Sequence, residues 1–371
     1  MSTEPDTISL DGLRRDDHSA ALLGEVDALL EDVIGQLRGI LVEVGDLPPC
    51  GSPGPLGLDL VGELAARVRH HGKRLRPILA GWGWEVAGGG PGSREALVRV
   101  AAALELLQLF ALVQDDVMDR SAERRGRPSL HVVAAERHRA SAGLGDPALF
   151  GDSVAVLVAD LALSEATLLA AEAGPDLARA WRRMATELVE GQLLDVTHTA
   201  GRRRDLAASR RIARLKSGRY TITRPLELGA LVGGAEPGLV QRLMTWGDLV
   251  GDAFALRDDI LGVWGDPVVT GKPAGDDLRS GKPTVLLVWA EEMLPESDLS
   301  LLAACDEGAL DDAGVHALQR AMQRSGVLAR AEEGVEQLVQ RSHGALEDLG
   351  ADRGTAESLR AVTHAVAWRT R

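Results

Sequence analysis

Aromatic residues make up only 3% of this 371-residue chain. That scarcity argues against a sheet protein, whose strands draw on aromatic and β-branched side chains. Cysteine is nearly missing. Cys50 and Cys305 are the only two, too few for a disulfide framework or a four-ligand zinc site. There is no basic excess either: the net charge is −14 at pH 7, which excludes the broad cationic footprint of a nucleic-acid binder. Anionic small molecules stay possible, provided basic residues gather locally. No uninterrupted apolar run reaches the roughly 18 to 20 residues needed to span a bilayer. The opening MSTEPDTISLDGLRRDD lacks the basic start and apolar stretch of a secretory signal. These absences lead to the expectation of a cytoplasmic protein with no membrane span.

What is abundant is helix-forming. The chain is 45% hydrophobic and 26% charged, rich in Ala and Leu, and this favours helix over strand. Residues 1–18 read as a polar, disordered segment, and 19–371 as one domain. Residues 94–118 carry the strongest helical pattern, with Leu104, Leu107, Phe110, Ala111 and Val117 among the apolar positions. The polar stretch from Arg120 to about Asp146 reads as a loop. SRRIARLKSGRYTITRPLELGALVGG reads as helix, whereas DPVVTGKPAGDDLRSGKPT, rich in Gly and Pro, reads as loop. No alternating strand pattern and no constant repeat is present. The expected fold class is all-α.

The chemistry concentrates where helices end. DDVMD (115–119) closes the 94–118 helix and is followed by RSAERRGRP. Residues four apart share a helix face, so Asp115 and Asp119 project together while Asp116 points aside. Two aligned carboxylates suit Mg²⁺, which shares its oxygen ligands between protein and substrate phosphates. A second acidic group, Asp258, Asp259 and Asp266, closes another apolar helix. Two facing acidic patches repel each other unless cations lie between them. The basic residues supply the complement: Lys73, Arg74 and Arg76 in GKRLRP, Arg124 and Arg125 after DDVMD, then Lys216, Lys272 and Lys282. Arg and Lys are the natural phosphate ligands.

The ordered set GKRLRP, DDVMDRSAERRGRP, KSGRYT, GDAFALRDD and GKPAGDDLRSGKPT resembles the trans-isoprenyl diphosphate synthases, or polyprenyl synthetases, most of all those making geranylgeranyl diphosphate. The resemblance runs from about residue 60 to 290. It implies a single large helical bundle around a central apolar cavity, a homodimer, and dependence on Mg²⁺. It further implies that Asp115 and Asp119 hold metal on the allylic diphosphate with Asp116 in support, and that Asp258 and Asp259 hold the opposing metal. Arg124, Lys216, Lys272 and Lys282 are implied to grip the allylic diphosphate (dimethylallyl, geranyl or farnesyl). Lys73, Arg76, Gln108 and Arg125 are implied to bind isopentenyl diphosphate. Ser217 keeps a hydroxyl where the family commonly has Thr.

Two positions depart from the family pattern. The second acidic motif often reads FQxxDDxxD, but Ala255 follows Phe254 here, and Gly262 replaces the last Asp. Asp266 is the expected substitute. In the family, an aromatic five residues before the first Asp with a small residue after it resembles C20 synthases. Phe110 and Ala111 fill those places, so the expected product is geranylgeranyl diphosphate, with farnesyl or longer polyprenyl diphosphates as alternatives. A class I terpene cyclase is a weaker alternative, since it has no use for GKRLRP and the chain lacks its N/D-D-x-x-S/T-x-x-x-E motif. An inactive regulatory subunit would usually have lost an Asp or part of the basic set.

Overall fold

The computed structural model describes residues 17–44, 55–266, 275–351 and 353–369. The expected disordered segment, 1–18, lies outside them except for its last two residues, because the first helix begins at Asp17. That helix, α1 (Asp17–Val44), is followed by α2 (Leu60–Arg69), α3 (Leu75–Val86) and α4 (Arg94–Met118). The bounds of α4 coincide with the span its periodicity predicts. It lies at the centre of the bundle, with Leu97, Ala101, Leu104 and Leu107 shut off from solvent.

The stretch after α4 corrects the loop expectation. Glu123–Arg124 (β1) pairs antiparallel with Arg127–Pro128 (β2). Arg125 and Gly126 both adopt positive φ (56° and 69°), the geometry of a two-residue hairpin turn. Helix α5 (Leu130–Ala140) follows. Its surface charge hid the pattern, yet Leu130, Ala134, Ala135 and His138 fall on one buried face.

Helix α6 (Pro147–Glu172) packs along α4. A stripe of Ala155, Ala159, Ala162 and Ala166, all without solvent exposure, lets the two axes approach closely. Both α6 and residues 91–118 are long and apolar enough to cross a bilayer by composition; the apolar surface of 91–118 is mostly consumed inside the bundle. The opposite side of α6 is different: Leu149, Leu157 and Leu168 are exposed.

Beyond α7 (Pro175–Ala200), the expected single helix divides into α8 (Leu206–Ile212), a π-helical stretch (Ala213–Thr223) and α9 (Arg224–Val232). Pro225 has no N–H to continue a ladder, and Gly218 lies directly against the backbone of Gly251. Helix α9 meets α3 backbone to backbone. A Cβ on Gly229 would stand 1.8 Å from the carbonyl oxygen of Ala80, so only glycine fits there. Helix α10 (Pro237–Trp264) carries the second acidic group. The short α11 (Asp276–Arg279), α12 (Val285–Met293), α13 (Leu299–Asp306), α14 (Asp312–Arg324), α15 (Val327–Glu347) and α16 (Arg353–Ala367) complete an all-α fold.

Candidate active site

Three carboxylates at the C-terminal end of α4 sit where the helix dipole is already negative. Alone they would destabilise the helix end, and the fold answers with one arginine from the adjoining hairpin and two lysines from distant segments. Lys216, on the π-helical stretch, places Nζ 3.0 Å from Asp115 Oδ1 and 2.5 Å from Asp195 Oδ2 on α7. Arg124, on β1, donates from Nη2 to Asp115 Oδ2 at 2.9 Å and from Nε to Asp116 Oδ1 at 2.8 Å. Lys282, just before α12, donates to Asp119 Oδ2 at 2.6 Å and lies 3.9 Å from Asp277. Burial works to lower the pKa of Lys216, but Asp115 and Asp195 outweigh it and the net shift is upward. Lys282 shows the same balance more strongly, with burial opposed by Asp277, Asp115 and Asp119. Both ammonium groups therefore stay charged.

Asp115 and Asp119 are both partly buried, each paired with a lysine of the collar. Asp116 is buried and holds Arg124 in place.

The second patch sits near the end of α10. Asp258 is exposed and accepts from Arg369 Nη2 at 2.5 Å. Asp259 is enclosed, and among the described residues its Oδ2 has no hydrogen-bond partner. Burial, then the nearby carboxylates of Asp277 and Asp258, push its carboxyl well above the usual range. The missing last Asp of the motif has a structural counterpart. A Cβ on Gly262 would lie 2.1 Å from Asp277 Oδ2, so Asp277 fills the space a side chain at 262 would take. Asp266, the expected substitute, is exposed past the end of α10.

The third group surrounds the turn into α3. Arg74 is buried with φ of 56° and ties this turn to α1 through Asp27 and to α4 through Glu105 (3.0 Å). The turn so anchored carries Lys73 and Arg76. Arg76 Nη2 donates to Thr221 Oγ1 at 2.6 Å, and its guanidinium lies 4.0 Å from the centre of the Tyr220 ring. Burial pushes the Arg76 pKa down, and among the described residues no carboxylate pairs with it, so an anion would relieve the desolvated charge. Gln108, three residues beyond Glu105 on α4, accepts from the Tyr220 hydroxyl. Arg125 reaches the carbonyl of His70 at 3.3 Å. A cleft of about 570 Å³ runs past Gln108, Arg124 and Arg125 and is apolar along Leu109, Leu112 and Val113.

The remaining sequence-derived residues are placed as follows. Ser217 is partly buried beside Lys216, Phe110 is buried in the main core, and Ala111 is partly buried against it. Lys272 lies outside the described residues. Asp195, Tyr220, Asp277 and Arg369 were not anticipated. Asp277 and Tyr220 stood inside quoted motifs and were readable there; Asp195 and Arg369 enter only through packing.

Among the described residues no three His, Cys, Asp or Glu side chains converge into a ready metal cage. Mg²⁺ needs only one or two carboxylates when phosphates and water complete its shell. The unpartnered Oδ2 of Asp259 and the carboxylates of Asp115 and Asp119, one helical turn apart, fit that requirement.

A family model described as polyprenyl synthetase matches residues 60–322. A geranylfarnesyl diphosphate synthase of Aeropyrum pernix is 34% identical over 232 residues, 60% of this chain and 67% of the relative. A (2E,6E)-farnesyl diphosphate synthase of Mycobacterium tuberculosis is 35% identical over 59% of this chain and 56% of its own length. Among solved structures, a geranylgeranyl pyrophosphate synthase from Corynebacterium glutamicum, complexed with isoprenyl diphosphate and magnesium, superposes with a TM-score of 0.82 at 33% identity. That match covers 93% of this chain and 99% of the other.

Proposed function

The chain belongs to the polyprenyl synthetase family and is a trans-prenyl diphosphate synthase; on that premise we propose that it condenses isopentenyl diphosphate with allylic diphosphates in the presence of Mg²⁺ and stops at geranylgeranyl diphosphate. The observation that carries this reading is the collar of Arg124, Lys216 and Lys282 around Asp115 and Asp119. Such a collar is built to take a diphosphate.

Breaking the allylic C–O bond produces a carbocation and a diphosphate anion, so stabilising the leaving group governs the rate. Lys216, Arg124 and Lys282 donate to its oxygens, and their positions are set before the reaction begins. Asp115, Asp119 and Asp258 would hold Mg²⁺, which when bound supplies Lewis-acid stabilisation of the same charge. Lys73, Arg76, Gln108 and Arg125 hold isopentenyl diphosphate with its double bond toward the allylic carbon. The π electrons form the new C–C bond, and the proton lost to the departing diphosphate restores an alkene. The apolar wall of the cleft excludes water that would quench the cation.

Incubating the protein with Mg²⁺, labelled isopentenyl diphosphate and each allylic diphosphate tests the reading. Labelled C20 diphosphate is expected, with none formed in excess chelator. Conversion of an allylic diphosphate to a cyclic hydrocarbon, indifferent to isopentenyl diphosphate, would instead support the terpene cyclase.

The exposed apolar faces of α6 (Leu149, Leu157, Leu168) and α7 (Val189, Leu193) support a homodimer built on them, since such a patch is normally covered. A charge at its centre, Leu157→Glu, is expected to halve the mass seen in light scattering. An unchanged mass would place the interface elsewhere or dismiss it.

A further inference from the structure

This chain has one tyrosine, and the fold buries it where the main core meets the proposed isopentenyl diphosphate site. Tyr220 is 6% exposed and stands between two groups from different helices. Its ring lies under the guanidinium of Arg76 on α3 at 4.0 Å, while its hydroxyl donates to Oε1 of Gln108 on α4. The next residue, Thr221, accepts from Arg76 Nη2 at 2.6 Å. Successive residues of the π-helical stretch therefore clamp Arg76 from its face and from its edge.

We propose that Tyr220 is a positioning residue for isopentenyl diphosphate, setting Arg76 by its ring and orienting the amide of Gln108 by its hydroxyl. A neutral amide carries one acceptor atom and one two-hydrogen donor. With Oε1 occupied by the phenol, the Nε2 hydrogens of Gln108 turn toward the cleft, where a diphosphate oxygen needs donors. Without the phenol the amide is free to flip and present its oxygen to the anion, a repulsive contact. The donor role requires a protonated phenol, and burial, the largest cause, raises the Tyr220 pKa to about 12. Arg76 gains from the arrangement because an aromatic face stabilises a guanidinium without neutralising it, so its full charge stays available.

This inference rests on Arg76 and Gln108 binding isopentenyl diphosphate, and the experiment separates the two claims. Steady-state kinetics are measured at saturating farnesyl diphosphate with isopentenyl diphosphate varied, then the reverse, alongside melting temperatures. Arg76→Ala tests the site itself. Tyr220→Phe keeps the ring and loses only the hydroxyl; its KM for isopentenyl diphosphate is expected to rise about fivefold, the worth of one hydrogen bond. Tyr220→Leu removes both contacts and should raise that KM on the order of twentyfold, with the allylic KM unchanged. Combining Tyr220→Phe with Gln108→Ala should cost no more than Gln108→Ala alone. If Arg76→Ala raises the KM for isopentenyl diphosphate while Tyr220→Leu does not, the inference is overturned and the site stands. If both KM values rise together with a fall in melting temperature, Tyr220 is merely structural and the inference is also overturned. If Arg76→Ala itself leaves that KM unchanged, the site assignment falls and takes the inference with it.

Discussion

Alanine at Asp115 or Asp119 is expected to lower kcat by about a thousandfold while leaving the circular dichroism melt close to wild type. The structure explains why the fold should survive. Removing Asp115 leaves Lys216 with Asp195 and Arg124 with Asp116, and removing Asp119 leaves Lys282 near Asp277. Neither change strands a buried charge, and either one relieves repulsion at the negative end of α4. What disappears is a proposed metal ligand. Asp116→Ala differs in kind, because that carboxylate is buried and holds Arg124. Its kcat should fall on the order of tenfold, since Arg124 retains Asp115 at 2.9 Å. Near-native rates in all three variants, measured in single turnover, would rule out the proposed metal site.

A change of product length is the second large effect. A chain growing from Asp115 along α4 descends about 5.4 Å per turn, close to one isoprene unit. Ala111 is four residues before Asp115 and partly buried, small enough to let the chain pass. Phe110 is buried in the main core, and its proposed role is to supply the bulk that closes the path from the side. Phe110→Ala is expected to shift the dominant product beyond C20, and Ala111→Phe to shift it toward C15, both read by chromatography of dephosphorylated products. Because Phe110 also packs in the core, its truncation should cost about 3 kcal/mol of stability, so the assay is run well below the melting temperature. An unaltered product distribution in both variants would place the floor of the cavity elsewhere.

Much of this protein was open to reading from local pattern. Helix α4 was bounded correctly because Ala and Leu at helical spacing, a preceding Gly-rich turn and a terminal acidic group all agree. Asp115 and Asp119 could be paired on one face from helical geometry alone, and Asp116 set apart. The segment after α4 misled because its arginines dominate its composition. Its hairpin depends on positive φ at Arg125 and Gly126, and only Gly126 signals such a conformation. The break between α8 and α9 was missed for a related reason: helical residues fill the π-helical stretch, and periodicity does not distinguish i→i+5 from i→i+4 bonding over so short a span.

Composition and helical period, acting within single segments, determined the all-α class and which side chains carry charge at each helix end. Partnership between segments was decided by packing. Lys216 meets Asp195 because the π-helical stretch packs against α7, and Asp277 fills the space left by Gly262 because α11 folds back on α10. Arg369 reaches Asp258 across more than a hundred residues of sequence. Local sequence sets the conformation of a turn of helix through interactions three to five residues apart. An electrostatic pair between distant segments forms only when the buried faces have already fixed where each helix end lies.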